Sequence, residues 1–268
     1  MVKRDSLFQT RDGSSGSLPK SDPVIVRPAM KTPNLSPEKK ALLKRRLGVA
    51  AQTHVQGLVI PRRPNRDSAP LSFFQRQLWL LDQMTPGNPA YNLPIGYHLK
   101  GPLDSTALEN SFNEVIKRHE GLRTTFAVKD GEPLQFIHPD FKIKITITNL
   151  AHLTGEQCHN RLQALASEES VRSFDLSHLP LLRVSLFKLG EAEHVLIINL
   201  HHIVADGLSI GLLLDELDTF YRAFTRGGDP RPPELAVQYA DFALCLCQPA
   251  RVLAEAVGRH ASRIGVAR

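Results

Sequence analysis

The sequence predicts an α+β fold: a mixed β-sheet with helices packed on it, preceded by a disordered basic tail. Three observations carry this. Stretches of period-two alternation or continuous apolar character recur between stretches with apolar residues at helical spacing. Hairpin-type connections and crossover helices occur along one chain, which leads to a mixed sheet in a two-layer arrangement. The charge is also segregated. Residues 1–66 carry 14 Lys/Arg against 4 Asp/Glu, whereas the rest carry 19 against 23, although the chain sums to +6.

The elements follow in chain order. Residues 1–35 are rich in Ser, Pro, Gly and Lys and lack periodicity. They bury too little apolar area to offset ordering entropy, so disorder is expected. Ser36-Pro37-Glu38 reads as a helix start, with Ser36 as cap and Pro37 at the first helical position. Leu42, Leu43 and Leu47 give that helix an apolar side, and Gly48 ends it. Residues 49–70 read as linker, closing on IPRRPNRDSAP.

From Leu71 the periodicity becomes regular. LSFFQRQLWLLDQM places Phe74, Leu78 and Leu81 on one helical side, with Ser72 as cap, and TPGNPA breaks it. YNLPIGYHLKG reads as a strand. Asp104 caps a helix whose Leu108, Phe112, Val115 and Ile116 recur at helical spacing. LRTTFAV and PLQFIH flank Lys129-Asp130-Gly131, a hairpin signal. FKIKITITNL alternates strictly and predicts a strand with one solvated face. Residues 155–171 suggest a helix. LLRVSLFKL and HVLIINLHH are strands joined by Gly-Glu-Ala-Glu, and Leu208 to Phe224 is a long helix stopped by Gly227-Gly228. The expected organisation is a tail over 1–35, a short helix and linker over 36–70, a lobe over 71–244 and a divergent tail over 245–268.

Composition narrows the function classes. No run of 18 apolar residues predicts a membrane span, and the N-terminus lacks the apolar region of a secretory signal. Cys158, Cys245 and Cys247 form no CxxC pair, which suits a reducing cytoplasm and suggests neither disulfides nor zinc. No basic face with groove-reading or stacking elements accompanies the tail's charge, so no nucleic-acid partner is expected.

The chemistry concentrates in IINLHHIVADGLS, residues 197–209. An apolar strand ends on His201-His202, and neighbouring strand side chains point to opposite faces. One histidine therefore enters the core and the other a cleft at the strand end. Asp206 is placed to orient a local group or to cap the next helix. Gly207 permits close backbone approach or an unusual backbone angle. The helix start would offer free N–H groups to a developing negative charge. That set suits acyl transfer to an amine or alcohol, with a histidine removing the nucleophile's proton. No GxSxG elbow is present, in keeping with direct attack by the acceptor. Against this, a histidine at a strand end is most often structural. A metal reading fails because adjacent histidines face apart and no third ligand is signalled.

HHxxxDG over 201–207 resembles the signature of the chloramphenicol-acetyltransferase-like superfamily. LSFFQRQLWLLDQMTPGNPAYNLP, RHEGLRTTF over 118–126, SFDLSHLPLLRVSLFKL from Ser173 and YADFA over 239–243 resemble, in order and spacing, the segments of nonribosomal peptide synthetase condensation domains. The resemblance covers 71–243, and loosely 36–47. It implies a chloramphenicol-acetyltransferase-like lobe that forms an amide bond between acyl groups carried on 4′-phosphopantetheine arms. The partners implied are carrier proteins and other synthetase modules, in the cytoplasm, with no cofactor bound by the domain itself. It makes His202 the catalytic residue, as base or positioning group, and His201 structural. It makes Asp206 a loop support paired with Arg118 or Arg123, and puts the Gly207 backbone at the transition state.

Leu208 departs from the family's Trp, and beyond Leu244 the resemblance stops. The family's second lobe has no counterpart here, so the chain is expected to be inactive alone unless a second lobe, a second polypeptide or a second copy completes it. Two other readings stand beside this one: a non-catalytic remnant or carrier-binding module, and a coenzyme-A-dependent acyltransferase of the same superfamily.

Overall fold

The computed structural model describes residues 24–26, 60–228 and 232–245. The helix expected over 36–47 and the tail over 246–268 lie outside the described residues. In chain order the elements are β1 (Val24–Val26), β2 (Ser68–Pro70), α1 (Phe73–Met84), a 3₁₀ turn (Pro89–Tyr91), β3 (Asn92–Lys100) and α2 (Ser105–Arg118). A second 3₁₀ turn (Glu120–Arg123) leads into β4 (Thr124–Lys129), β5 (Glu132–Ile137) and β6 (Thr146–Asn149). Then follow α3 (Gly155–Val171), β7 (Leu182–Lys188), β8 (Glu193–His201) and α4 (Gly207–Thr225). A helical turn covers 239–245.

The main sheet has the order β1-β3-β8-β7-β6, and a smaller one β2-β5-β4. β6 runs parallel to β7, and every other pairing is antiparallel, so the sheet is mixed as expected. Ser72 forms a full capping box with Gln75 at the start of α1, and Asp104 caps α2. The Asp130-Gly131 turn has positive φ at both residues (53° and 81°), the geometry that a two-residue hairpin requires.

The layering differs from the two-layer expectation. Leu196, Ile198 and Leu200 of β8 join the core beneath α2 and α4. Val195 and Ile197 face the opposite side, with Leu162 of α3. Both faces of β8 are thus covered, which is why HVLIINL is continuously apolar rather than alternating.

Within the tail, Val24–Val26 pairs antiparallel with the edge of β3. Two further expectations are corrected. Residues 60–70, read as linker, are built into the lobe. β2 pairs with β5, and Arg63 is buried between Glu120 and Asp241. FKIKITITNL forms ladder only over Thr146–Asn149. Its alternation is still used: Ile143 and Ile145 are buried, and their N–H groups donate to Asn113 and Glu109 of α2 instead of to a strand.

Candidate active site

β8 delivers the two histidines to different surroundings, as its alternation requires. His201 continues the Val195–Ile197 face and is buried. Its ring lies 6.3 Å from Tyr91 and 6.1 Å from Phe174, and its Nδ1 accepts the Ile203 N–H at 3.1 Å. Burial, with His202 alongside, pushes its pKa down to about 4. The ring is therefore neutral at physiological pH.

His202 begins the turn. Its N–H donates to the Tyr91 carbonyl at 2.8 Å, and its ring stands edge-on to Phe74 at 5.4 Å. It lines a cavity of about 280 Å³ together with Phe74, His119, Asp206, Ser209 and Tyr239. The ring's Nδ1 is buried without a hydrogen-bond partner. Nε2 is the edge left to the cavity.

Asp206 is the N-cap of α4. Its carboxylate accepts the N–H groups of Leu208 (3.1 Å) and Ser209 (2.8 Å) and the Ser209 hydroxyl (2.7 Å). These bonds, led by the Ser209 N–H and hydroxyl, hold the carboxyl below its ordinary range. The expected ion pair with Arg118 or Arg123 does not form among the described residues. Arg118 binds Glu216 at 3.0 Å and the Pro233 carbonyl at 2.7 Å, and Arg123 donates to the His138 carbonyl. The physical reason is orientation. Around the end of α2, His119, Gly121 and Leu122 face the His202 cavity. Arg118 and Arg123 face a separate cleft of about 430 Å³ with Arg62, Arg66 and Lys117.

The start of α4 is also less available to an anion than the pattern suggested. Asp206 takes the N–H of Leu208 and Ser209 through its side chain and that of Ile210 through its carbonyl. Gly207 does not need a positive φ. A Cβ built on it meets nothing within 4 Å, so open space, not backbone strain, surrounds it.

Sequence reasoning missed several lining groups. His119 is the C-cap of α2, and its Nε2 donates to Glu216 at 2.6 Å. Ser209 completes the cap of Asp206, and its place three residues beyond a capping Asp was a usable signal. Tyr239, within YADFA, bonds the Ser72 hydroxyl at 2.9 Å and so ties α1 to the 239–245 turn. Among the described residues no cluster of three His, Cys, Asp or Glu side chains could hold a metal ion, and no helix is long and apolar enough to cross a membrane.

A family model described as "Condensation domain" matches residues 65–250. One of the linear gramicidin synthase proteins of Brevibacillus parabrevis is 42% identical over 180 residues, covering 67% of this chain and 2% of that protein. Phosphinothricin tripeptide synthetase PhsC of Streptomyces viridochromogenes is 40% identical over 210 residues, covering 78% of this chain and 19% of its own length. Among solved structures, the X-domain from teicoplanin biosynthesis is 31% identical with a TM-score of 0.63, covering 73% of this chain and 40% of that one. The starter condensation domain of rhizomide synthetase RzmA, in a mutant form, superimposes with a TM-score of 0.62 at 22% identity, covering 68% of this chain and 44% of that one. The chain thus spans a small part of these curated relatives and under half of these solved chains.

Proposed function

The chain belongs to the condensation-domain family, and we propose that it is the His202-bearing lobe of an acyltransferase joining two carrier-bound groups through an amide bond. In this reaction the acceptor amine attacks the donor thioester carbonyl. The C–N bond forms, the C–S bond breaks, and the carrier thiol leaves. The observation that carries the reading is the state of His202. It reaches the cavity at the end of β8, and its ring makes no hydrogen bond among the described residues. Nδ1 is buried without a partner whichever nitrogen carries the proton, so the ring meets substrate through Nε2. There it either takes the acceptor amine's proton as the tetrahedral centre forms or holds that amine in place for attack. His201 and Asp206 support the loop, and Gly207 leaves room for substrate.

The reading includes dependence on a second lobe. Around the site Leu208 is 88% exposed, and Phe73, Phe74 and Leu212 are also uncovered. An open, wet site weakens electrostatic catalysis, and loose placement of reactants by about 1 Å costs on the order of a hundredfold. A second reading has one observation in its favour. The teicoplanin X-domain, a solved relative at 32% identity, is recorded in complex with OxyB. On that reading this lobe is a docking module for a protein partner.

The test is condensation between a loaded donor carrier and a loaded acceptor carrier, read by mass spectrometry. The chain is assayed alone and with a condensation-domain second lobe in trans, with His202→Ala as control. Product that needs the second lobe and His202 supports the proposal. Undiminished product from the His202→Ala variant overturns the role of His202. Full activity from the chain alone overturns the dependence. Carrier binding without product in any combination favours the docking reading.

A further inference from the structure

The cavity that holds His202 holds a second imidazole, and its chemistry is complementary. Gln75, Asp206, Ser209, Gln238 and Tyr239 also line it, but each is engaged. Gln75 accepts the Ser72 N–H, and Asp206 and Ser209 bond each other. Gln238 bridges the Glu120 N–H and the Arg118 carbonyl, and Tyr239 bonds Ser72. His119 is held differently. At 2.6 Å from a carboxylate oxygen of Glu216, its Nε2 must carry a proton. The other oxygen of Glu216 is fixed by Arg118 at 3.0 Å, so the carboxylate cannot turn away. Nδ1 makes no hydrogen bond among the described residues and is not buried. A neutral ring whose Nε2–H is committed presents a lone pair at Nδ1.

We infer that His119 is the amine-recognising residue of this cavity: its Nδ1 accepts a hydrogen bond from the primary ammonium or amine of the acceptor, with Glu216 fixing the tautomer. The inference rests on the acyl-transfer reading above and deepens it. An α-amino group with a pKa near 7.7–8.0 arrives largely as ammonium at neutral pH. It must lose one proton before its lone pair can attack and a second as the C–N bond forms. One of these protons ends on the leaving thiolate, and the other leaves through an imidazole. His119, with its lone pair on Nδ1, receives the nitrogen as it enters the cavity. Glu216 is a positioning residue, because it acts only through His119.

The experiment is nitrogen-detected NMR of the histidines in the whole chain, titrated with an aminoacyl-pantetheine in which an amide replaces the thioester. The same probe with its amine acetylated is the control. Before any addition, His119 is expected to show a protonated Nε2 and a bare Nδ1. The free-amine probe then shifts His119 Nδ1 and the capped probe does not, while His202 responds to both. Glu216→Gln, checked for folding by circular dichroism, should bind the free-amine probe about tenfold more weakly, as loss of one charge-assisted hydrogen bond implies. Its affinity for the capped probe should be unchanged. A His202 response without one from His119, an equal His119 response to both probes, or an unaltered amine affinity in folded Glu216→Gln overturns the inference and leaves the acyl-transfer reading standing. Silence of both rings overturns the inference as well.

Discussion

Replacing Arg63 with Met should destabilise the lobe by about 4 kcal/mol, within the range of about 3–5 kcal/mol for stripping the partner from a buried charge. The guanidinium is about 1% exposed and holds two acids, Glu120 at 2.7 Å and Asp241 at 2.9 Å. It also donates to the Arg66 carbonyl at 2.8 Å. Met keeps much of the volume but leaves both carboxylates without their shared cation. Because a whole domain is stable by about 5–15 kcal/mol, this one change removes much of the margin. Urea unfolding followed through Trp79, the chain's single tryptophan, measures it. The pH dependence adds a second constraint. Burial raises the Asp241 pKa, but hydrogen bonds from Gln238 and Arg63 outweigh it, so the folded value lies below 3.8. The carboxylate's contribution is therefore present above the unfolded value and is lost as pH falls through the folded one. In Arg63→Met the Asp241 pKa rises, so the deficit against wild type should shrink on acidification. The double variant Arg63→Met/Asp241→Asn should cost at least 1 kcal/mol less than the two single changes together. A loss under 1 kcal/mol at pH 7, or strict additivity, would refute the reasoning.

Three other outcomes follow from the site. His202→Ala should keep the unfolding midpoint nearly unchanged while lowering condensation in the completed enzyme by about 10²–10⁴-fold, measured as initial rates. Asp206→Ala removes the cap of α4 and should cost about 1 kcal/mol in urea unfolding. Asp206's folded pKa is depressed, so the cost should be full at neutral pH and fade as pH drops below the ordinary carboxylate range. His201 is held neutral down to about pH 4, whereas an unfolded histidine takes up its proton near 6.5. Stability should therefore decline from pH 6.5 to about 4, by about 3 kcal/mol in all, and His201→Phe should flatten that slope.

How legible the molecule was depended on whether the signal was local. Caps and turns need only neighbours, and Ser72, Asp104 and the Asp130-Gly131 hairpin were readable for that reason. The separation of His201 from His202 was readable too, because it follows from strand alternation alone. The placement of Arg63 was not. It depends on partners 57 and 178 residues away, and its flanking prolines and arginines look like linker. The direction of Arg118 and Arg123 was also beyond the sequence. Arg118 precedes a 3₁₀ turn and Arg123 ends it, and one residue of rotation there decides which of two clefts a side chain enters. FKIKITITNL shows the opposite case: its alternation was read correctly, but the ladder was replaced by the side chains of α2.

The geometry of β8 explains why a cavity-facing histidine stands at its end. The strand is covered on both faces, so everything before His201 is committed to core. The first residue free of that constraint is the one after the strand, on the face toward α4. That residue is His202. Its backbone is pinned by the Tyr91 carbonyl and its ring is steadied by Phe74, both from segments bordering α1 and β3. The opposite wall comes from His119, set by the end of α2 and braced on α4 through Glu216. Elements that share one core thus hold both imidazoles, His202 just past β8 and His119 at the end of α2, braced on α4. The side that lacks such support is the outer one. There Leu208 and Leu212 of α4 and Phe73 of α1 leave apolar surface in water. A surface of that character beside a pre-set pair of imidazoles is what a second lobe would cover. Covering it would exclude water from the cavity and strengthen the same hydrogen bonds that the lobe already aims.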